Sequence, residues 1–286
     1  MKKVDRLGWA AGFSLRSYGV RIGVRSNDPA VLARVLEILP GEWEKTDLPV
    51  VDRLYSILVG GDSARVNLRR FSLLYGDHFR LARDLDLDTV LEAFNSDLRL
   101  FVAEFATYRV FVHAGVVAWK GNAIVIPGRS FSGKSTLVAE FIRAGATYYS
   151  DEYAVFDSHG RVHPFRKPLE LRQNSNQTQS KIDLSELGGH AGTKPLAVGM
   201  VLMTQFKDGA RWRPRKLTAG RGVLQLLFNT VSARRIPQMA FDTLERVASQ
   251  AEVLKGVRGQ ASDVVPAVLK RLEENLKHTM RQMHDK

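Results

Sequence analysis

The sequence predicts an α/β fold in two parts: a small N-terminal α/β domain over residues 1–100 and an α/β core over 101–286 built around a phosphate-cradling loop. Three observations carry this. Short apolar or alternating runs bounded by turn residues recur along the chain, and stretches of helical spacing stand among them. One apolar run also ends in Gly128-Arg129-Ser130-Phe131-Ser132-Gly133-Lys134-Ser135 just before a helical pattern. At 286 residues, with 44% hydrophobic and 25% charged side chains, the chain is long enough to bury one large core or two ordinary ones.

In the N-terminal third, "YGVRIGV" alternates apolar and polar positions as a half-buried strand does. "NDPAVLARVLEILP" follows, with Asn27 or Asp28 as cap, an early Pro29 and helical spacing. "RLYSILV" and "FSLLYGDHFRLAR" read as further strands, the second turning at Tyr75-Gly76-Asp77. Residues 86–107, "DLDTVLEAFNSDLRLFVAEFAT", have the spacing of one or two helices. After them the style of the sequence changes, which places a boundary near residue 100.

Two apolar runs come next, "RVFVHAGVVAW" and "AIVIPG", joined at Lys120-Gly121-Asn122 as a buried hairpin. "TYYSDEYAVFD" reads as one strand ending at Ser158-His159-Gly160, and "AVGMVLMTQF" as a later buried strand. Three amphipathic stretches close the chain: "GVLQLLFNTV", "AFDTLERVASQAEVL" and "DVVPAVLKRLEENLKHTMRQM".

Residues 128–135 fit G-x-x-x-x-G-K-[ST], with the preceding strand and following helix that the motif needs. Glycines permit the backbone angles that aim successive N–H groups inward, and the helix beginning near Lys134 adds its positive end. Lys134 suits the β- and γ-phosphates of a nucleotide, and the Ser135 hydroxyl suits Mg²⁺. The competing interpretation is a glycine-bearing strand-to-helix turn with an incidental lysine. Carboxylates decide what such a loop is for. "AVGMVLMTQF" ends without one, because Asp208 sits in a Lys-Asp-Gly turn; Asp151-Glu152 instead follows the loop's helix. Two acids in an apolar, aromatic strand are costly to bury without a metal ion or substrate hydroxyl beside them. Adjacent strand residues face opposite ways unless the strand ends or bulges, so the residues alone leave open which acid meets the phosphates. His113, among valines, reads by itself as a satisfied core histidine, while Arg166, Lys167 and Arg172 are either phosphate contacts or surface.

Charge and composition narrow the partners. The net charge is +12, and residues 201–286 hold 16 basic against 8 acidic side chains. "KDGARWRPRKLTAGR" is the densest part, suited to nucleic acid, an anionic membrane surface, an acidic protein, a polyphosphate or plain solvation. The absence of cysteine excludes disulfides, thiolate metal sites and thiol nucleophiles, and it fits a cytoplasmic location. "MKKVDRLGWAAGFSLRS" only faintly imitates a leader, since glycines interrupt its apolar part, and no stretch approaches the length of a membrane span.

Four pieces in order, "VFVHAGVVA", "IPGRSFSGKST", "IRAGATYYSDE" and "GRVHPF", resemble the catalytic core of the HPr kinase/phosphorylase group, especially its HPr-kinase-related relatives, over about residues 105–170. The resemblance implies an HPr-kinase/PEP-carboxykinase-like nucleotide core with ATP and Mg²⁺. It further implies Asp151 as the base for an acceptor hydroxyl, His113 as its partner, Glu152 as a metal ligand beside Ser135, and residues 128–136 as the nucleotide cradle. Two departures bear on the substrate. Thr136 stands where bacterial HPr kinases usually have glutamate, and Glu152 replaces their second aspartate. The second family signature used on HPr has no visible counterpart. The expectation is therefore an ATP-dependent kinase acting on a hydroxyl, a serine's above all, in a protein, peptide or small molecule. A homo-oligomer follows only by analogy. The rival readings are a non-catalytic ATP-sensing protein and a nucleic-acid-dependent NTPase, and the missing acid after "AVGMVLMTQF" argues against the second of these.

Overall fold

The computed structural model describes residues 3–61, 71–128, 132–165, 167–172 and 179–284. The chain divides into two compact units, Met1–Tyr108 and Arg109–Lys286. In the first, a six-stranded sheet has the order β3-β1-β2-β4-β5-β6. Its strands are β1 (Ala11–Ser17), β2 (Val20–Ser26), β3 (Glu44–Thr46), β4 (Arg53–Leu58), β5 (Ser72–Gly76) and β6 (Phe79–Asp84), with helices α1 (Pro29–Glu37) and α2 (Leu87–Phe105). The stretch that faintly imitates a leader supplies β1. Tyr18 and Gly19 both have positive φ, 48° and 86°, the backbone of a tight hairpin turn that pairs β1 with β2.

Asp28 caps α1 by accepting from the Ala30 N–H, and Asp86 caps α2 by accepting from Asp88 and Thr89. The expected one or two helices are thus one, because the apolar face carrying Val90, Phe94, Leu98 and Val102 runs unbroken into the core. The helix passes through residue 100, so the units part after it, at Tyr108–Arg109.

In the second unit the sheet has the order β11-β10-β7-β8-β14-β16-β15, with β9 also pairing β7. Its strands are β7 (Val110–Trp119), β8 (Asn122–Pro127), β9 (Thr147–Ser150), β10 (Tyr153–Phe156), β11 (Val162–His163), β14 (Val198–Phe206), β15 (Arg215–Lys216) and β16 (Glu252–Arg258); β12 (Leu169–Arg172) and β13 (Gln179–Ile182) form a separate pair. Lys120 and Gly121, both at positive φ, close the expected β7–β8 hairpin. Helices α3 (Lys134–Arg143) and α6 (Ala261–His284) pack one face of the sheet with Val117, Ile126, Leu202 and Leu254. Helices α4 (Ala219–Leu227) and α5 (Pro237–Gln250) pack the other with Val112, Ala114, Val116 and Val201. Strands β8, β14 and β16 run parallel, so their carboxyl ends lie along one edge, where open α/β sheets hold ligands.

Two elements differ from expectation. "AEVL", read as the end of an amphipathic stretch, begins β16, because Val253 and Leu254 are buried by parallel pairing with Val201 and Leu202 of β14. So short and mostly apolar a run fits both periods, and long-range pairing decides. "TYYSDEYAVFD" is two strands rather than one: β9 and β10 lie along the same edge of β7, interrupted at Asp151-Glu152.

Candidate active site at the Gly128–Lys134 loop

The site grows out of the β7–β8 hairpin. Pro127, last residue of β8, pairs with Ala114, and the next N–H, that of Gly128, donates to the His113 carbonyl at 3.1 Å. The chain therefore leaves the sheet beside His113 and returns as α3, whose first residue is Lys134. Gly133 sits at φ 81° and ψ 20°, a left-handed conformation that a side chain strains. A Cβ at Gly128 would stand 2.8 Å from the Ser132 Oγ, so a glycine there lets the two ends of the loop approach. Arg129, Ser130, Phe131 and Arg166 lie outside the described residues. Arg172 ends β12 opposite Gln179.

Opposite the hairpin, Ser150 pairs with Val116 and Tyr153 with His113, so Asp151 and Glu152 stand across from Gly115 and Ala114. The pair bends out of regular strand geometry there, yet the Glu152 carbonyl still accepts from the Ala114 N–H at 3.1 Å. This interruption relaxes the rule that neighbouring strand residues face apart. Both acids act on one cation: the Asp151 and Glu152 charges favour the ammonium of Lys134, against a burial that lowers its pKa.

Asp151 is the most perturbed group of the site. Burial pushes its carboxyl up to about 6, although the Ser135 hydroxyl donates to it and the Lys134 and Lys167 charges lower it. Its Oδ1 is shut off from solvent and has no hydrogen-bond partner among the described residues, and the same holds for the Ser132 Oγ. Burial first, and then the Lys134 charge, lower the pKa of His113, so its imidazole is neutral at pH 7. The resemblance implies that His113 partners Asp151. The Glu152 backbone carbonyl is close enough to the His113 ring to oppose that lowering, and the ring lies 4.7 Å from the Tyr153 ring. Lys167 is near enough to act on Asp151 while its Nζ reaches Glu170 Oε2 at 3.3 Å. Thr136, on the first turn of α3, is exposed.

The sequence reading missed Arg258. This arginine closes β16, is 2% exposed, and donates to the Gly133 carbonyl at 2.9 Å and the Gly259 carbonyl at 3.0 Å, with its guanidinium 5.5 Å from the Phe206 ring. It fixes the loop's second glycine from the far side of β14. The available signal was an arginine ending the apolar run "EVLKGVR", which was hidden while "AEVL" read as part of an amphipathic stretch.

Mg²⁺ takes hard oxygen ligands, keeps several waters, and uses one or two carboxylates plus substrate phosphates rather than a full protein cage. Among the described residues no three His, Asp or Glu side chains gather as a cation site. The Ser135 hydroxyl and the carboxylate of Glu152, which shares the bend with Asp151 and acts on Lys134 with it, nevertheless supply the hard oxygen donors that such an ion needs.

No family model matches this chain, and no curated protein matches it. Among solved structures it is similar to the HPr(Ser) kinase/phosphatase from Coxiella burnetii, with 12% identity and a TM-score of 0.31 over 61% of this chain and 94% of that one. The likeness is a distant one of fold. No helix among the described residues is long and apolar enough to cross a membrane.

Proposed function

We propose that the unit from Arg109 onward is an HPr-kinase-like phosphotransferase that moves the γ-phosphoryl group of ATP to a hydroxyl, most simply a serine's, of a protein, peptide or small molecule. The observation that carries this reading is the convergence of Lys134, Ser135 and a carboxyl pushed up to about 6, Asp151, at the mouth of a glycine-bounded strand-to-helix loop. The backbone N–H groups of residues 128–136 and the positive end of α3 take the phosphates, and Lys134 neutralises the β- and γ-oxygens. Ser135 and Glu152 would hold Mg²⁺, which supplies further neutralisation of phosphate charge when bound.

Asp151 orients the acceptor hydroxyl and takes its proton as the acceptor oxygen bonds to the γ-phosphorus. The bond from that phosphorus to the β–γ bridging oxygen breaks, and ADP leaves with the electron pair. A base with a pKa near 6 is largely ionised at pH 7 yet basic enough to share the proton of an alcohol in the transition state. His113, neutral and paired across the strand with Tyr153, stands beside the bend that carries both acids and helps to position it.

The test is incubation of the purified protein with γ-labelled ATP, Mg²⁺ and host lysate or candidate serine compounds, followed by identification of what gains label. Lys134→Ala is expected to abolish both nucleotide binding and labelling. Binding of ATP with no labelled acceptor in any fraction would favour a non-catalytic sensor instead.

A further inference from the structure

The basic segment to which net charge alone assigns no role borders a cavity. Beyond the carboxyl ends of β8, β14 and β16, on the face that carries α4, lies a pocket of about 510 Å³, within the usual range for small-molecule sites. Pro127, which immediately precedes the loop, and Asn229, whose carbonyl accepts the His113 N–H at 2.7 Å, are part of its wall. Its charged lining is Arg213 and Arg215, from one stretch of chain, and Lys255 of β16, and among the described residues no acidic side chain lines it.

The arrangement costs stability as it stands. Arg215 and Lys255 are directly opposed in the β15–β16 pairing, and like charges so placed repel. Among the described residues the partner of the Lys255 Nζ is a neutral acceptor, the Gln225 Oε1 at 2.6 Å. Among the described residues neither arginine forms an ion pair. A bound anion would turn this repulsion into attraction. A singly charged ligand would leave most of it uncompensated, whereas a doubly charged group matches the convergent cations and the planar fork of arginine.

We propose that this pocket is a second anion site, separate from the loop, that takes a small organic anion carrying two negative charges, such as a phosphate monoester or a dicarboxylate. It stands independently of the kinase reading, because neither Lys134 nor Asp151 contributes to it.

The test is calorimetric titration of the full chain with glycerol 2-phosphate, succinate and inorganic sulfate. Saturable one-site binding of the phosphate ester or of succinate, tighter than that of sulfate, is expected, and which of the two binds identifies the anion's chemistry. The Arg213→Gln/Arg215→Gln double variant should weaken that binding about tenfold or more, a loss of one charge-assisted contact at least. Both arginines are exposed, so the variant should fold, with a melting temperature no lower than the wild type's as the control. Lys134→Ala should leave the affinity within about twofold. Binding that persists in the double variant but vanishes in Lys134→Ala would place the probe in the loop and overturn the proposal. So would the absence of saturable heat with every probe, or binding of a single-stranded oligonucleotide that the small anions fail to displace.

Discussion

At the scale of the residue, Asp151 sets two expectations. If it is the base, Asp151→Asn keeps the shape of the side chain and loses the proton acceptor. Turnover should then fall by about 10²- to 10⁴-fold while ATP binding stays within a few-fold. Full turnover in the variant would remove Asp151 from the role assigned to it. The second expectation concerns stability in metal-free buffer. The folded carboxyl sits at about 6 against an ordinary value of 3.8. The fold therefore favours the protonated acid, and the ionised form costs stability as the pH rises from about 4 through 6. Above that window the cost is on the order of 3 kcal/mol, since each tenfold change in acidity is worth about 1.4 kcal/mol. Asp151→Asn escapes it, so the variant should melt higher than the wild type at pH 8, and the gain should shrink to nothing near pH 4. Thermal melts across this range check the sign. A variant less stable than wild type at pH 8 would mean that the native carboxylate is paired rather than stranded.

At the scale of the element, the loop is held at both ends, by the Gly128 N–H on the His113 carbonyl and by Arg258 on the Gly133 carbonyl. Arg258→Lys keeps the charge but loses the planar fork that spans the carbonyls of residues 133 and 259. It should raise the Kd for ATP about tenfold with a melting temperature within a few degrees of wild type, since the lost bond orders the cradle more than the core. An unchanged Kd would make Arg258 only a core cation. The strand–loop–helix frame was legible in the sequence because strand, glycines, lysine and helix are contiguous; the β7–β8 hairpin was legible because Lys120-Gly121 is a local turn signal. Other features were not local. β1 hid behind glycines that its hairpin partner tolerates, and β16 hid in a mostly apolar tetrapeptide that α5 could equally have extended. Which of the two adjacent acids meets the loop depends on a bend across from Gly115 and Ala114, and residue types do not encode a bend.

At the scale of the whole molecule, each unit closes a core of its own: Leu15, Ile22, Tyr55 and Phe94 are fully buried in the first, and Phe111, Ile126, Phe141 and Leu202 in the second. The proposed cradle, the bend and Arg258 all lie after residue 108. A ligand held there stabilises the states that contain the folded site, by an amount that grows with its concentration over Kd: about 2.7 kcal/mol at a hundredfold excess. Hydrogen exchange reads where that energy is felt, because local openings of the liganded segment become rarer while openings elsewhere keep their own free energies. With saturating ATP and Mg²⁺, amides from Gly133 to Ala139 and from Ser150 to Tyr153 should exchange about tenfold more slowly or better, and those of β1 to β6 should keep their rates. The Lys134→Ala chain should show no slowing in either unit. Equal slowing throughout the N-terminal sheet would mean that the nucleotide is read by both units, and the N-terminal sheet would then need a role in the reaction rather than beside it.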